Sequence, residues 1–190
     1  LEQYNKESEA FIFTSTSNRN KSKLDIYNNV IRTTLEASSA IFGASDALFV
    51  ESYDKVNNET DFGLELAAKQ QLLLQQESYL NQFSDPAAGS YYIESLTNQL
   101  AEKALELFKT IQNFGGFVKA LENETIQDLI YTTAKKEQKD FDEKSLKLIG
   151  VNQFRNPADD IEKKSKEKIV KHVLFLPIVP TRLAEKEEKK

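Results

Sequence analysis

The sequence predicts an α/β fold in which parallel strands alternate with helices. Two short runs of β-favouring residues, at positions 10–14 and 46–51, each precede a segment whose apolar residues recur every three or four positions. This order is typical of parallel sheets, because the chain must return through a crossover before the next strand starts. The chain has 190 residues, 39% of them hydrophobic, which is enough apolar mass for a buried core.

The first two helices have sequence signals at their ends. Apolar spacing from Leu24 onward predicts a helix that ends at Gly43, and Thr60 is a candidate N-cap for the next helix. The face of this second helix that is predicted to point inward contains Phe62, Leu66, Ala67, Leu73 and Leu74.

The second half of the chain is predicted to be mainly helical. A turn-forming cluster at 84–89 leads to residues 91–93, which we interpret as a strand end or a docking loop. Helical spacing then runs over 96–111 and stops at the glycine pair 115–116. Further predicted elements are a short helix at 117–121, a helix at 126–134, a late strand at 146–151, an extended arm at 173–179 and a disordered end at 185–190.

The composition excludes several classes of protein. Acidic residues outnumber basic ones by 30 to 25, and Glu167 interrupts the densest basic run, so we expect no nucleic-acid binding. The lack of cysteine excludes disulfides and thiolate chemistry. No apolar run approaches the roughly 20 residues that a membrane helix needs. We therefore expect a soluble, cytoplasmic protein that does not bind a membrane.

No group of residues identifies a reaction by itself. The acidic pairs Asp61/Glu65 and Glu102/Glu106 are spaced four apart on helices, where solvated charges are common, so we interpret them as surface residues. His172 is the only histidine, whereas zinc and non-haem iron sites usually recruit several. We predict no catalytic residue and no metal site.

Two other motifs also have ordinary explanations. Gly115-Gly116 lacks the following lysine and hydroxyl residue of a phosphate-binding loop, so we interpret it as a helix stop. Tyr91-Tyr92 lies beside a turn, where paired aromatic residues usually pack.

The predicted elements amount to about three βα units. A (β/α)8 barrel needs eight units and typically about 250 residues, so this chain would be part of such a barrel, with open sheet edges to be covered. The chain begins at Leu1 and contains no methionine, from which we expect an excised or processed segment.

Five segments, in order along the chain, carry a family resemblance. The most specific is Asp-Pro-Ala-Ala-Gly-Ser-Tyr-Tyr-Ile-Glu-Ser-Leu-Thr at 85–97, and the others lie at 30–37, 71–78, 114–116 and 148–152. Together they resemble the acyl-CoA-binding barrel of the methylmalonyl-CoA mutases.

The resemblance implies a partial (β/α)8 TIM-type barrel, made of its later βα units and followed by helices and an extended C-terminal arm. Residues 1–154 would be the C-terminal half of the barrel domain, and 155–190 a charged tail and docking arm without a cobalamin-binding domain. Phe49 and the turn at Asp85 would then lie on neighbouring βα units of one parallel sheet.

The resemblance also implies a cofactor. Catalytic members of this family thread the coenzyme A chain of the substrate through the barrel. They use adenosylcobalamin, whose cobalt–carbon bond breaks homolytically to start a radical rearrangement. The protein excludes water and keeps the radicals apart, while the cofactor supplies the difficult chemistry.

This chain departs from the catalytic pattern. Catalytic members carry Ser-Leu-His-Thr-Asn where this chain has Ala-Leu-Phe-Val-Glu at 47–51, so Phe49 replaces a substrate-facing imidazole and cannot make its hydrogen bond. Glu51 adds a carboxylate near the place of an anionic ligand. Gly43-Ala44 stands where paired glycines are frequent. These departures resemble the small, non-catalytic subunit that some bacterial mutases pair with a catalytic large subunit.

We therefore expect a scaffold and interface role in a heterodimer that interconverts methylmalonyl-CoA and succinyl-CoA. Adenosylcobalamin is expected on the large subunit and none on this segment, which alone should be inactive. Glu77 is the one candidate for a vestigial cofactor-facing side chain.

Two alternatives remain open. The segment could come from a catalytic acyl-CoA mutase chain whose active residues lie elsewhere, although such a chain should have a polar residue at position 49. It could also be an assembly module without a mutase role, in which case it would not co-purify with a cobalamin-binding chain.

Overall fold

The computed structural model describes residues 10–159 and 175–189 and has the predicted α/β class. It is mostly helical and forms two compact units. Unit 1 contains the described residues up to Lys21 and Ile26–Ala87, and unit 2 contains Ser22–Asp25 and the described residues from Ala88 onward. The elements are β1 (Phe13–Ser15), α1 (Asn28–Phe42), β2 (Ala47–Phe49), α2 (Asp61–Gln76), α3 (Tyr91–Asn113), α4 (Phe117–Glu122), α5 (Thr125–Asp142) and 3-10 helices at Leu80–Gln82 and Leu183–Lys189.

Unit 1 has the strand–helix–strand–helix order that the sequence predicts. Its strands are parallel, with Phe13 opposite Ala47 and Ser15 opposite Phe49. The helices cover one face of this strand pair. The core beneath them consists of Ala37, Val50, Ala67 and Leu74, with Ile41, Leu48 and Leu80 packed against it.

The predicted inward face of α2 is partly wrong. Thr60 caps the helix as expected, because its Oγ1 accepts the Gly63 N–H at 3.0 Å. Phe62 and Leu73 are exposed, however, whereas Gln70 is buried. Its Nε2 lies 2.6–2.9 Å from three acceptors on α1, the Val30 carbonyl and the hydroxyl groups of Thr33 and Thr34, which share its two N–H donors. Because a buried amide must be hydrogen-bonded, α2 turns the side that carries Gln70 towards α1 and leaves part of the predicted apolar face in solvent.

The end of α1 contains a strained residue. Gly43 has a φ of −87°, which any residue can adopt, whereas Ala44 has a φ of 54° in the left-handed region. Glycine would relieve this strain at position 44 but not at position 43.

We expect Ala44→Gly to raise the free energy of unfolding by about 0.5–1 kcal/mol, because the relief of left-handed strain exceeds the entropy cost of glycine. Urea unfolding followed by circular dichroism measures the change. The matched control is Ala40→Gly within α1, which should lower the free energy of unfolding by about 1 kcal/mol. Equal losses in both variants would contradict the assignment of strain to Ala44.

Unit 2 begins its helical part earlier than predicted. Residues 91–93, interpreted from sequence as a strand end or docking loop, form the first turn of α3. The preceding Gly89 has a φ of 75°, and its N–H donates to Glu94 Oε1 at 3.3 Å. This turn reverses the chain directly into a helix and leaves no room for a strand. The helices predicted at 96–111, 117–121 and 126–134 are confirmed as α3, α4 and α5.

The apolar side chains of α3 are not covered within the described residues. None of its residues is buried, and Leu100 and Phe108 are more than half exposed. Helical periodicity predicts that such a face exists but not what covers it. Among the described helices, none combines the length and hydrophobicity required to span a bilayer.

The late strand predicted at 146–151 is absent from the described structure, which has a turn and one isolated bridge between Ile149 and Gln153. The Asn152 side chain hydrogen-bonds to backbone groups that a strand would pair with a neighbouring strand. Its Oδ1 accepts the Leu148 N–H at 2.7 Å, and its Nδ2 donates to the Leu146 and Phe141 carbonyls. The described residues thus contain two strands rather than three.

The expected placement of the Asp85 turn is also not met. The turn leads into α3, and the described part of the chain has no strand beside β1 and β2 on which it could lie. The expectation that Phe49 and Asp85 share one parallel sheet is therefore wrong for the described structure.

The predicted disorder of the C-terminal end is wrong as well, because Leu183–Lys189 forms a 3-10 helix with Leu183 and Ala184 buried. Part of the predicted arm at 173–179 lies outside the described residues, and 175–182 has neither helix nor strand. Gln127 Nε2 donates to the Leu176 carbonyl at 3.3 Å.

Candidate functional site

The carboxyl ends of β1 and β2 lie together in unit 1. Directly after the strands, the Thr16 N–H donates to the Phe49 carbonyl at 3.1 Å, and the Glu51 N–H donates to Thr16 Oγ1 at 2.9 Å. Ligands of parallel α/β proteins bind at the carboxyl ends of strands. We name this region, with the loops at 16–21 and 50–60, the strand-end site.

Phe49 is the most exposed apolar group of the strand-end site. Its side chain is 47% exposed and lies on the same face of the strand pair as Phe13, which is 64% exposed. The opposite face carries Leu48, which packs on the helices. The face turned away from the helices is therefore apolar and can offer a ligand van der Waals contact but no side-chain hydrogen bond from Phe49.

A carboxylate on α1 fixes the first loop of the site. Glu36 Oε2 accepts the Ser17 N–H at 3.0 Å. Its Oε1 accepts from Asn20 Nδ2 at 2.7 Å and from Lys21 Nζ at 2.6 Å. The ammonium group also donates to Asn20 Oδ1 at 2.8 Å. These bonds tie the loop after β1 to the middle of α1.

Lys21 is the most unusual residue of this network, because its side chain is only 2% exposed. Burial lowers the pKa of Lys21 below its ordinary value of 10.5, and the nearby Arg32 acts in the same direction. The hydrogen bond and the charge of Glu36 oppose that shift. The pair therefore keeps a buried cation in place rather than presenting it to a ligand.

A second carboxylate fixes the loop after β2. Asp54 is buried, and its Oδ2 accepts from the Thr60 N–H at 3.1 Å and from the Thr60 hydroxyl at 2.6 Å. Ser52 Oγ donates to its other oxygen. A Cβ added to Gly63 would overlap both Asp54 and Ser52, so only glycine fits there.

Glu51 completes the charged groups of the site. Its side chain is 19% exposed, and its Oε2 lies 3.4 Å from Lys55 Nζ. Lys55 also pairs with Glu59 at 3.2 Å. The hydrogen bond to Glu59, followed by the charge of Glu51, raises the pKa of Lys55. Glu51 Oε2 is buried and has no hydrogen-bond partner among the described residues, so its contact with Lys55 is an ion pair only.

Comparison with known proteins identifies the family of this chain. The family model described as "Methylmalonyl-CoA mutase" matches residues 2–174. The chain belongs to the methylmalonyl-CoA mutase family.

Some relatives are named simply as methylmalonyl-CoA mutase, and others are named as its small or large subunit. The chain is 40% identical to methylmalonyl-CoA mutase of Rhizobium meliloti over 141 residues, 74% of this chain and 20% of the relative. It is 36% identical to the small subunit of the Porphyromonas gingivalis mutase over 143 residues, 75% of this chain and 23% of the relative. It is also 36% identical to the large subunit of that mutase over 148 residues, 77% of this chain and 21% of the relative. The chain thus spans about a fifth of the length of the curated relatives it matches, and the two subunits match it equally.

The two positions that the sequence singles out, Phe49 and Glu77, lie on different elements of unit 1. Phe49 ends β2, whereas Glu77 is the exposed C-cap of α2, its N–H donating to the Leu73 carbonyl at 3.0 Å. No hydrogen bond or ion pair among the described residues joins them. The sequence analysis did not identify the Lys21–Glu36 pair. Lys21 lies in a polar loop and Glu36 lies on a helix 15 positions later, so no local pattern connects them.

The other sequence candidates do not form a site. Glu65 pairs with Lys69 at 2.6 Å on the surface, and this contact lowers the pKa of Glu65. Glu102 and Glu106 are exposed on α3. His172 lies outside the described residues, and within the described ranges no cluster of three or more histidine, cysteine, aspartate or glutamate residues could hold a metal ion.

Proposed function

We propose that this chain is a segment of the non-catalytic small subunit of an adenosylcobalamin-dependent methylmalonyl-CoA mutase, with a scaffold and subunit-interface role. The observation that carries the proposal is the exposed Phe49 at the carboxyl end of β2. In the resemblance on which the proposal rests, a catalytic chain has a histidine there.

The surroundings of Phe49 support the same conclusion. A substrate carbonyl that is hydrogen-bonded by a histidine in catalytic chains would have no donor here, because the Phe49 side chain cannot form a hydrogen bond. Glu51, with Oε2 held near Lys55, places negative charge beside a position that would have to accept a phosphate-bearing ligand. Both features disfavour acyl-CoA at the strand-end site.

The described residues also do not fit adenosylcobalamin. They contain no histidine, and the carboxylates of the strand-end site are already engaged by Lys21, Lys55 and the loop after β2. Cobalt ligation by this part of the chain is thus unsupported, and we assign the cofactor to the catalytic large subunit. Glu77 remains our proposal for a vestigial cofactor-facing side chain, since it is exposed in the 71–78 segment.

In this proposal, residues 1–154 belong to a barrel domain and 155–190 are its tail and arm. The heterodimer interconverts methylmalonyl-CoA and succinyl-CoA in the cytoplasm, and the segment alone is inactive. The exposed face of α3 and the open edges of the strand pair are surfaces that the remainder of the assembly would cover.

A second candidate is a fragment of a catalytic chain, favoured by the 40% identity to the Rhizobium meliloti protein, whose name carries no subunit designation. Substitution of Phe49 distinguishes the two. In the intact subunit complexed with its cobalamin-binding partner, we expect Phe49→His to leave kcat and the KM for methylmalonyl-CoA within about twofold, because the side chain contacts no substrate.

The matched control is Phe49→Leu, which preserves an apolar side chain. A change of about tenfold or more in kcat or KM that occurs in Phe49→His and not in Phe49→Leu would place position 49 in a working active site. Failure to co-purify with any cobalamin-binding chain would instead favour an assembly module.

A further inference from the structure

The 3-10 helix at Leu183–Lys189 occupies an apolar cleft of unit 2. Leu183 is 3% exposed and Ala184 is fully buried. They form one cluster with four residues that are distant in sequence, Leu24, Phe141, Leu148 and Val151. Without the 3-10 helix, these four side chains would lose the contacts made by two apolar neighbours.

Charged groups fix the orientation of this segment. Arg182 makes two hydrogen bonds of 2.6 Å to Glu188, one to each carboxylate oxygen. Glu188 Oε1 also accepts from the Lys23 N–H at 2.9 Å and from Ser22 Oγ at 3.3 Å. The segment thus carries its own arginine to neutralise the carboxylate that it places against residues 22–25.

Contacts to α5 complete the attachment. Gln138 Nε2 donates to the Leu183 carbonyl at 3.3 Å, and Lys186 Nζ pairs with Asp142 Oδ2 at 2.9 Å. These contacts of the segment come from residues 182–188, a length typical of a bound peptide motif.

Two further observations distinguish this segment from an ordinary part of the core. The family match ends at residue 174, before the segment begins. It is also joined to Asp159 by residues 160–181, a stretch long enough to span at most about 75 Å. Only two of its side chains enter the apolar cluster, so the free energy of docking is modest compared with that of a core helix.

We propose that residues 182–188 are a detachable ligand of the chain itself, held in a peptide-binding cleft of unit 2. The motif that the cleft recognises is Arg-Leu-Ala followed by a glutamate four positions after the alanine. The apolar pair enters the cluster, and the arginine-neutralised glutamate binds the N–H of Lys23. This inference is independent of the proposed function.

The test uses the protein that contains this chain. The 190 residues have no cysteine, and any cysteine elsewhere in the protein is replaced by serine. Lys189→Cys places a single spin label beside the segment at an exposed position, and its mobility reports whether the segment is docked. We expect an immobilised label that becomes mobile when a synthetic peptide of residues 180–190 is added. Half-displacement is expected at about 1–10 mM peptide, because a tethered ligand has an effective concentration of that order.

Peptides with single substitutions provide the matched controls. A Leu183→Asp peptide should not displace the segment, whereas a Lys189→Ala peptide should act like the unmodified one, since Lys189 is exposed and lies outside the recognised motif. A label that is mobile before any peptide is added would overturn the proposal. So would a label that stays immobile up to about 10 mM peptide, because the segment would then be a fixed part of the fold.

Discussion

Glu36→Gln is expected to lower the free energy of unfolding by about 3 kcal/mol, the cost of leaving a buried cation without its anion. Lys21 is 2% exposed and Glu36 is 25% exposed, so water can reach Glu36 but cannot replace it at Lys21 Nζ. The amide also cannot accept from Ser17, Asn20 and Lys21 together as the carboxylate does. Urea unfolding at neutral pH measures the loss.

The control is a double-mutant cycle with Lys21→Met, which keeps the length of the side chain and removes its charge. Lys21→Met should cost less than Glu36→Gln, because Glu36 keeps two donors and partial solvent exposure. The double variant should be more stable than the sum of the single losses predicts, by about 1 kcal/mol or more. Additive losses would show that the two residues act independently and would contradict the described pair.

The pH dependence has a defined sign. Because the folded-state pKa of Lys21 is lowered from 10.5, the unfolded state binds more protons in this range, and stability rises as pH increases from the folded pKa towards 10.5. Removal of Glu36 takes away the groups that raise this pKa, so in Glu36→Gln the rise begins at a lower pH. The deficit of Glu36→Gln should therefore shrink as pH is raised towards 10. A deficit that grows over this interval would contradict the assignment.

The helices of unit 1 could be predicted because their signals are local. Spacing of apolar residues located α1, and Thr60 marked the start of α2 through a bond to a backbone group three residues away. Gln70 could not be assigned to the interior, because its burial depends on acceptors 36 to 40 residues earlier in the chain. Tertiary partners of this kind leave no periodic signal.

The errors in unit 2 have similar causes. Residues 146–151 have the composition of a strand, but Asn152 captures their backbone groups. The charged end at 185–190 has the composition of a disordered tail, yet Arg182 neutralises Glu188 and allows Leu183 to be buried. In both cases one side chain provides the partner that composition cannot anticipate.

The candidate site was predictable only in part. Phe49 was identified because a resemblance supplied the residue expected at its position. The Lys21–Glu36 pair had no such guide, and a lysine in a polar loop ordinarily lies in solvent. Local pattern predicted that Phe49 lies in a strand. Its place at the end of that strand and the contacts of the surrounding carboxylates required the structure.

The largest functional effect is expected for cofactor binding, because the subunit alone should bind no adenosylcobalamin and the heterodimer should bind one molecule. On the proposed assignment to a non-catalytic subunit, the intact subunit that contains this chain should bind no adenosylcobalamin tightly by itself. The described part of this chain supplies no histidine for cobalt. With the large subunit present, one cofactor should bind for each heterodimer. Heat-damaged large subunit, which should bind none, controls for non-specific uptake.

Titration of the purified intact subunit with adenosylcobalamin, followed by the absorbance of the corrin, is therefore the most direct test that this chain belongs to a non-catalytic subunit. We predict no saturable one-to-one binding until the large subunit is added. Tight one-to-one binding by the subunit alone would contradict the assignment.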